Sequence, residues 1–350
     1  MDPQQTIGLL VLASYFLLIF VLLYIICASF LPLNVPRNGP NYRAYTFTVL
    51  TLSSFAHTWY YMFAFMGWSF SNYERLHSAE ATQPMLERVG NWLANTGLFE
   101  EAWAVVCSTP RNWWWSEQLC LYTVGFWTVF LLSEGRRRKI KHIWAYMMLG
   151  QVVAISVAAN LFYIALALYP DPKPEEKLTR RRNTVPMILW SSILLSLSTV
   201  YLVPTSIEQG YFLSNLLTMH VLLVIPLASP DALLSSAVLR MRARTLYGLI
   251  ALASILPRIR TVSTAFASLP VEARHVSGAV SALWETLHSH PAQSSIGWDV
   301  VWTTASFFLW TFSPLQMIKY LIPCVLATSV PSAGFIAPFV MWRSSRAVEL

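Results

Sequence analysis

From Ile7 to Phe30 the chain carries no charged side chain. Coiled as a helix at 1.5 Å per residue, such a run is long enough for a hydrocarbon core of about 30 Å. It is too long for the apolar part of a signal peptide and has no basic residue ahead of it, so a retained membrane span is expected. Comparable runs recur at Tyr45–Ser69, Trp113–Leu132, Ile143–Tyr169, Val185–Pro204, Tyr211–Ser229, Trp298–Ile318 and Tyr320–Trp342, the last broken by Pro323, Pro331 and Pro338. The pattern weakens where Arg240, Arg242 and Arg244 interrupt it, and Leu246–Leu256 is short for a crossing. The expectation is therefore an all-α fold: a polytopic integral membrane helix bundle of about eight transmembrane helices, with seven or nine as alternatives. Residues 1–350 form one membrane domain with surface or loop segments at about 70–97, amphipathic over Met85–Leu93, and at about 262–297.

Charged residues make up only 12% of the chain, about half the usual share in a soluble domain. The net charge of +7 does not point to nucleic acid, because the lysines and arginines cluster at the ends of apolar runs as interfacial anchors. Counted for nine spans with the N-terminus outside, they fall evenly on the two sides of the membrane, so charge does not fix the orientation. Cys27, Cys107, Cys120 and Cys324 show no metal spacing and are expected to be buried free thiols. Asp2, Asp171, Asp231 and Asp299 are too scattered to hold magnesium against a diphosphate. The histidines form no clustered boxes for a di-iron centre. No phosphate loop, GxSxG or HExxH motif is present. No metal and no cofactor is expected, and carboxylate acid–base chemistry in a poorly hydrated setting remains.

Glu117 follows Trp113, Trp114 and Trp115 about one turn inside the third expected span, with Trp113 and Trp114 on nearly its own face. A carboxyl held there is desolvated, which favours the protonated form that a general acid needs. The alternative is an interfacial glutamate reaching back to water. Glu100 and Glu101 precede the Thr109-Pro110 helix start. A fold-back there brings one of them toward Glu117, and paired carboxyls then divide into an acid and a base; otherwise both are solvated acids. Glu134 lies about 25 Å along the helix from Glu117 and is expected to pair with the neighbouring arginines. His57, Asn160 and His220 fall near the middle of their runs, where polar groups face the bundle interior as structural hydrogen bonds or as pocket lining. Spans two, three, four and six are expected to surround one cavity holding His57, Glu117, Asn160 and His220. Tyr61, Trp103 and Trp113 to Trp115 are packing residues, or ring faces able to stabilise a carbocation.

The run FEEAWAVVCSTPRNWWWSEQLCLYTVGFW, followed by EGRRRKI and WAYMMLGQVVAISVAANLFY, resembles the fungal membrane-bound terpene cyclases of the ascochlorin/ascofuranone and macrophorin pathways, and related proteins that open epoxides in polyene polyketide pathways. The resemblance implies a multi-pass enzyme of secondary metabolism, in the endoplasmic reticulum. It would protonate an olefin or epoxide on a lipophilic prenyl or polyene chain without a metal, its partners being that substrate and membrane lipid. Ring closure gives a cyclase and water capture an epoxide hydrolase. A transporter or receptor is the reading from another class.

Overall fold

The computed structural model describes residues 2–30, 41–77, 83–169, 184–230, 234, 239–312 and 333–349, and these are almost wholly helical. Helix α1 (Pro3–Ala28) starts at a capping box between Asp2 and Gln5, which satisfies amide groups that a helix start leaves open. Helix α2 spans Tyr42–His77. The amphipathic helix α3 (Met85–Asn95) buries Trp92 and lies against α1, where Gln5 donates to Asn91 at 2.7 Å. Helix α4 (Leu98–Cys107) leads to α5 (Pro110–Leu121), which passes through a π-helical turn at Tyr122–Trp127 into α6 (Thr128–Arg137). Helices α7 (Ile143–Val152), α8 (Ile155–Leu168), α9 (Met187–Ser206) and α10 (Phe212–Ala228) follow. After them come α11 (Ala243–Ala267), α12 (Val276–His288), α13 (Pro291–Thr311) and α14 (Ala333–Glu349). Strands β1 (Thr184–Val185) and β2 (Met241–Arg242) pair antiparallel, Thr184 opposite Arg242.

Helices α1, α9 and α11 are each long and apolar enough to cross a membrane, and α7, α8 and α10 are apolar but shorter. Large apolar side chains point outward along them, among them Leu17, Phe20, Leu195 and Leu252. The expected fourth span is not one helix. It breaks at Val153–Ala154, and α7 and α8 pack as an antiparallel hairpin, with the Tyr146 ring 5.3 Å from Phe162 near the open end and Gly150 against Ile155 and Ala158 near the tip. The tip is stable because its loose backbone groups find distant partners. Tyr15 donates its hydroxyl to the Val152 carbonyl at 2.6 Å, and Asp299 accepts the amides of Ile155 and Ser156 at 2.9 and 2.8 Å. Arg138, just past the end of α6, donates to the carbonyls of Leu166 and Tyr169. The hairpin therefore returns its chain to the end of the bundle from which it entered.

The other expectations fare unevenly. Residues 262–267 complete α11, and 276–288 and 291–297 are helical, so the expected 262–297 linker is largely structured. Residues 70–77 likewise complete α2. Cys107 is buried, but Cys27 is exposed. Glu134 pairs with Arg137 at 2.5 Å. Asp171, Asp231, Cys324 and residues 320–332 of the last expected span lie outside the described residues.

Candidate functional site

The Thr109 side chain accepts the Asn112 amide, and Pro110 occupies the first turn, so α5 begins sharply and aims its next turns inward. Ser116 donates to the Val106 carbonyl at 2.6 Å, which locks the short α4 beside it. Glu117 is 0% exposed. Its carboxylate oxygen Oε2 receives the Arg258 Nη1 at 2.7 Å, and the same guanidinium lies 4.9 Å from the centroid of the Trp114 ring. Trp114 stands perpendicular to Trp115, whose indole N–H donates to the Leu283 carbonyl of α12. The Thr261 hydroxyl lies beside the Glu117 carboxylate, yet Oε1 makes no hydrogen bond of normal geometry among the described residues. Glu117 is thus no interfacial anchor. It is half of a buried pair with Arg258, with Oε2 fixed by the guanidinium and the Thr261 hydroxyl close to the carboxyl group.

Arg258 is the partner that the sequence reading missed. It follows Pro257 in a stretch whose apolar pattern is poor, and α11 carries it into the bundle all the same. A signal was available: an acid at membrane depth calls for a base at the same depth, and Arg258 and Arg260 stand just after the apolar run Leu246–Leu256.

The carboxyl pair expected between Glu117 and Glu100 or Glu101 does not form. Although α4 folds back on α5, Glu101 points to α2 and accepts the Ser69 hydroxyl at 2.7 Å, and Ser69 in turn accepts the Trp92 indole N–H. Glu100 is exposed near the helix start. The four residues expected around one cavity each have their own neighbours. His57 accepts the Trp302 indole N–H at 3.1 Å, with its ring near Trp298 and Tyr61. His220 stacks on Trp103 at 5.5 Å and its Nδ1 meets the Leu216 carbonyl. Asn160 is 0% exposed within α8. No hydrogen bond, ion pair or ring contact joins any two of His57, Glu117, Asn160 and His220 among the described residues. Trp113 is buried beside Glu117's turn.

Two acids are therefore deep in the bundle. The second, Asp299, passed unnoticed in the sequence because no other acid is near it. It sits on α13, 5% exposed, where it holds the start of α8 and lies close to Thr303. Among the described residues no group of three acids, cysteines or histidines is placed to hold a metal ion. No protein family, curated protein or solved structure matches the chain.

Proposed function

We propose that the chain is a polytopic membrane enzyme, in which Glu117 starts as the neutral acid with its proton on Oε1 and gives that proton to an epoxide oxygen or an olefin on a lipophilic prenyl or polyene chain. The observation that carries this reading is the divided carboxyl group of a fully buried residue, with Oε2 held by Arg258, Oε1 without a hydrogen bond of normal geometry among the described residues, and the Trp114 ring against the guanidinium. Proton donation to the epoxide breaks a carbon–oxygen bond and leaves a cation on the chain. A neighbouring double bond of the substrate then closes a ring and the resulting cation loses a proton to leave an olefin, or water captures the cation and loses a proton to leave a diol. Arg258 stabilises the carboxylate left behind, which takes back the proton that the product cation or the added water releases. Trp114 and Trp113 offer ring faces to the passing cation. Seven of the described helical segments would cross the membrane (α1, α2, α5–α6, α9, α10, α11 and α13), with α7–α8 entering and leaving on one side. The endoplasmic reticulum is the proposed location, by the resemblance above.

A buried half-helix start, such as that of α8, also occurs in transporters, where it faces an anionic substrate. Here Asp299 already occupies that helix start, which disfavours the transporter reading.

The test is turnover in isolated membranes of an epoxidised prenyl phenol and an epoxidised polyene. An isomer of unchanged mass indicates cyclisation, and a product heavier by one water indicates hydrolysis. Glu117→Gln should lower either rate about 10²- to 10⁴-fold. Unchanged turnover in that variant, or loss only in Glu101→Gln, would overturn the assignment of the donor.

A further inference from the structure

Helices α8 and α13 run side by side in the same direction: Asp299 meets the start of α8, and farther along Trp310 stacks on Tyr163 at 5.0 Å. Ser156, Asn160 and Tyr163 lie four and three residues apart and share one stripe of α8. Asp299, Thr303 and Ser306 lie four and three apart and share one stripe of α13. The contacts at both ends turn these stripes toward each other. Asn160 is about 7 Å along α8 from Ile155, while Thr303 and Ser306 are about 6 and 10 Å along α13 from Asp299. Asn160 therefore falls between Thr303 and Ser306 in the middle of the seam.

That middle is polar and unsatisfied. Both side-chain atoms of Asn160 and the hydroxyl of Ser306 lack a hydrogen bond of normal geometry among the described residues, while the Ser156 hydroxyl lies beside the Asp299 carboxylate, and all three residues are 0% exposed. Ser306 does not donate to the carbonyl one turn back, as the helical Ser14, Thr51, Thr58, Ser254 and Thr286 do, a trait it shares with Ser196 on α9. At the far side of the seam the Tyr163 hydroxyl lies 3.4 Å from that of Tyr122 in the π-helical turn. Buried polar groups in such number call for a partner, and a site offering two to four hydrogen-bonding groups is one that water or another small oxygen group occupies.

We infer that the α8–α13 seam is a binding site for an uncharged oxygen group, held between Asn160 and Ser306 and linking Asp299 to the Tyr122–Tyr163 pair. An anion would be repelled by Asp299, and a cation would face the amides at the start of α8. Bound water satisfies this chemistry, and so does a hydroxyl or carbonyl of the substrate. Only the substrate arm rests on the function proposed above.

Radiolytic footprinting of the full chain in detergent separates these cases, because X-rays activate bound water and the radicals oxidise its neighbours. With water in the seam, Tyr163 is oxidised although it is fully buried, and the signal falls severalfold in Ser306→Ala and in Asn160→Leu. Suppression of the wild-type signal by a prenylated phenol assigns the site to a substrate oxygen, and persistence assigns it to water. A Tyr163 as inert in wild type as in Asn160→Leu overturns the site. Thermal unfolding gives an independent reading. Loss of bonds to an occupant makes both variants less stable, whereas groups that truly lack a partner make the apolar replacements more stable, which would also overturn it. Neither readout depends on turnover.

Discussion

Glu117 shows how much a single neighbour changes what a residue is expected to do when mutated. Read from its own helix, Glu117→Gln is a gentle change that removes a proton and keeps the shape. With Arg258 at 2.7 Å and 5% exposed, the same change strands a guanidinium in the bundle. Removing one partner of a buried pair costs about 3–5 kcal/mol, whereas replacing both by apolar groups is often neutral or better. Glu117→Gln is therefore expected to lower the unfolding temperature, and the double variant Glu117→Leu/Arg258→Met to recover it while remaining inactive. Thermal unfolding in detergent beside a turnover assay checks this. Recovery of activity together with stability would reduce Glu117 to a structural residue. The position of Glu117 about one turn inside an apolar run was legible in the sequence, but its burial was not, since a glutamate reaching back to water fits the same run. Its partner was not, because the pairing joins residues 141 positions apart and one of them stands in a poorly patterned stretch.

At the scale of elements, the π-helical turn between α5 and α6 has a close counterpart across the bundle. A side chain at Gly125 would place its Cβ 2.5 Å from Cγ2 of Ile250 on α11. Gly125→Ala should thus destabilise by about 1–3 kcal/mol, as overpacking does, and Ile250→Ala in the same chain should return part of that loss. A double-mutant cycle on unfolding temperatures measures the coupling, and additive effects would place the two residues out of contact. Apolar runs in the sequence located α1, α5–α6, α9 and α10 to within about five residues, but stopped α2 eight residues short and began α13 seven residues late. They failed at Val153, where the run continues but the helix does not: an apolar stretch records what is buried, not where the backbone turns. The break needs Tyr15 and Asp299, and nothing local to Gln151–Ser156 announces either.

Over the whole molecule, the contacts order the ends of the helices. The β1–β2 pair puts Thr184 and Arg242 together, α9 and α10 pack against each other across a short turn, and α11 leads away from Arg242. The turn at Glu208–Tyr211 and the segment at Glu272–His275 should then face one side of the membrane, and Arg242 the other. Single cysteines at Gln209, Arg274 and Arg242 in sealed vesicles, treated with an impermeant maleimide, test this: the first two should label together and the third from the opposite side. Labelling of Gln209 and Arg242 from the same side would refute the arrangement. The α7–α8 hairpin also carries a consequence for how the protein is made. The amides of Ile155 and Ser156 receive their acceptor from a residue translated 144 and 143 positions later, whereas the Tyr15 hydroxyl is on hand from the start. A nascent chain that has emerged only through α8 has no acceptor for those amides, and in lipid an unmatched amide is costly. The hairpin is expected to wait near the headgroups and to seat only after α13 arrives, so that a chain stopped before Asp299 stays open to protease between Ile143 and Tyr169, and one stopped after Thr311 is closed to it.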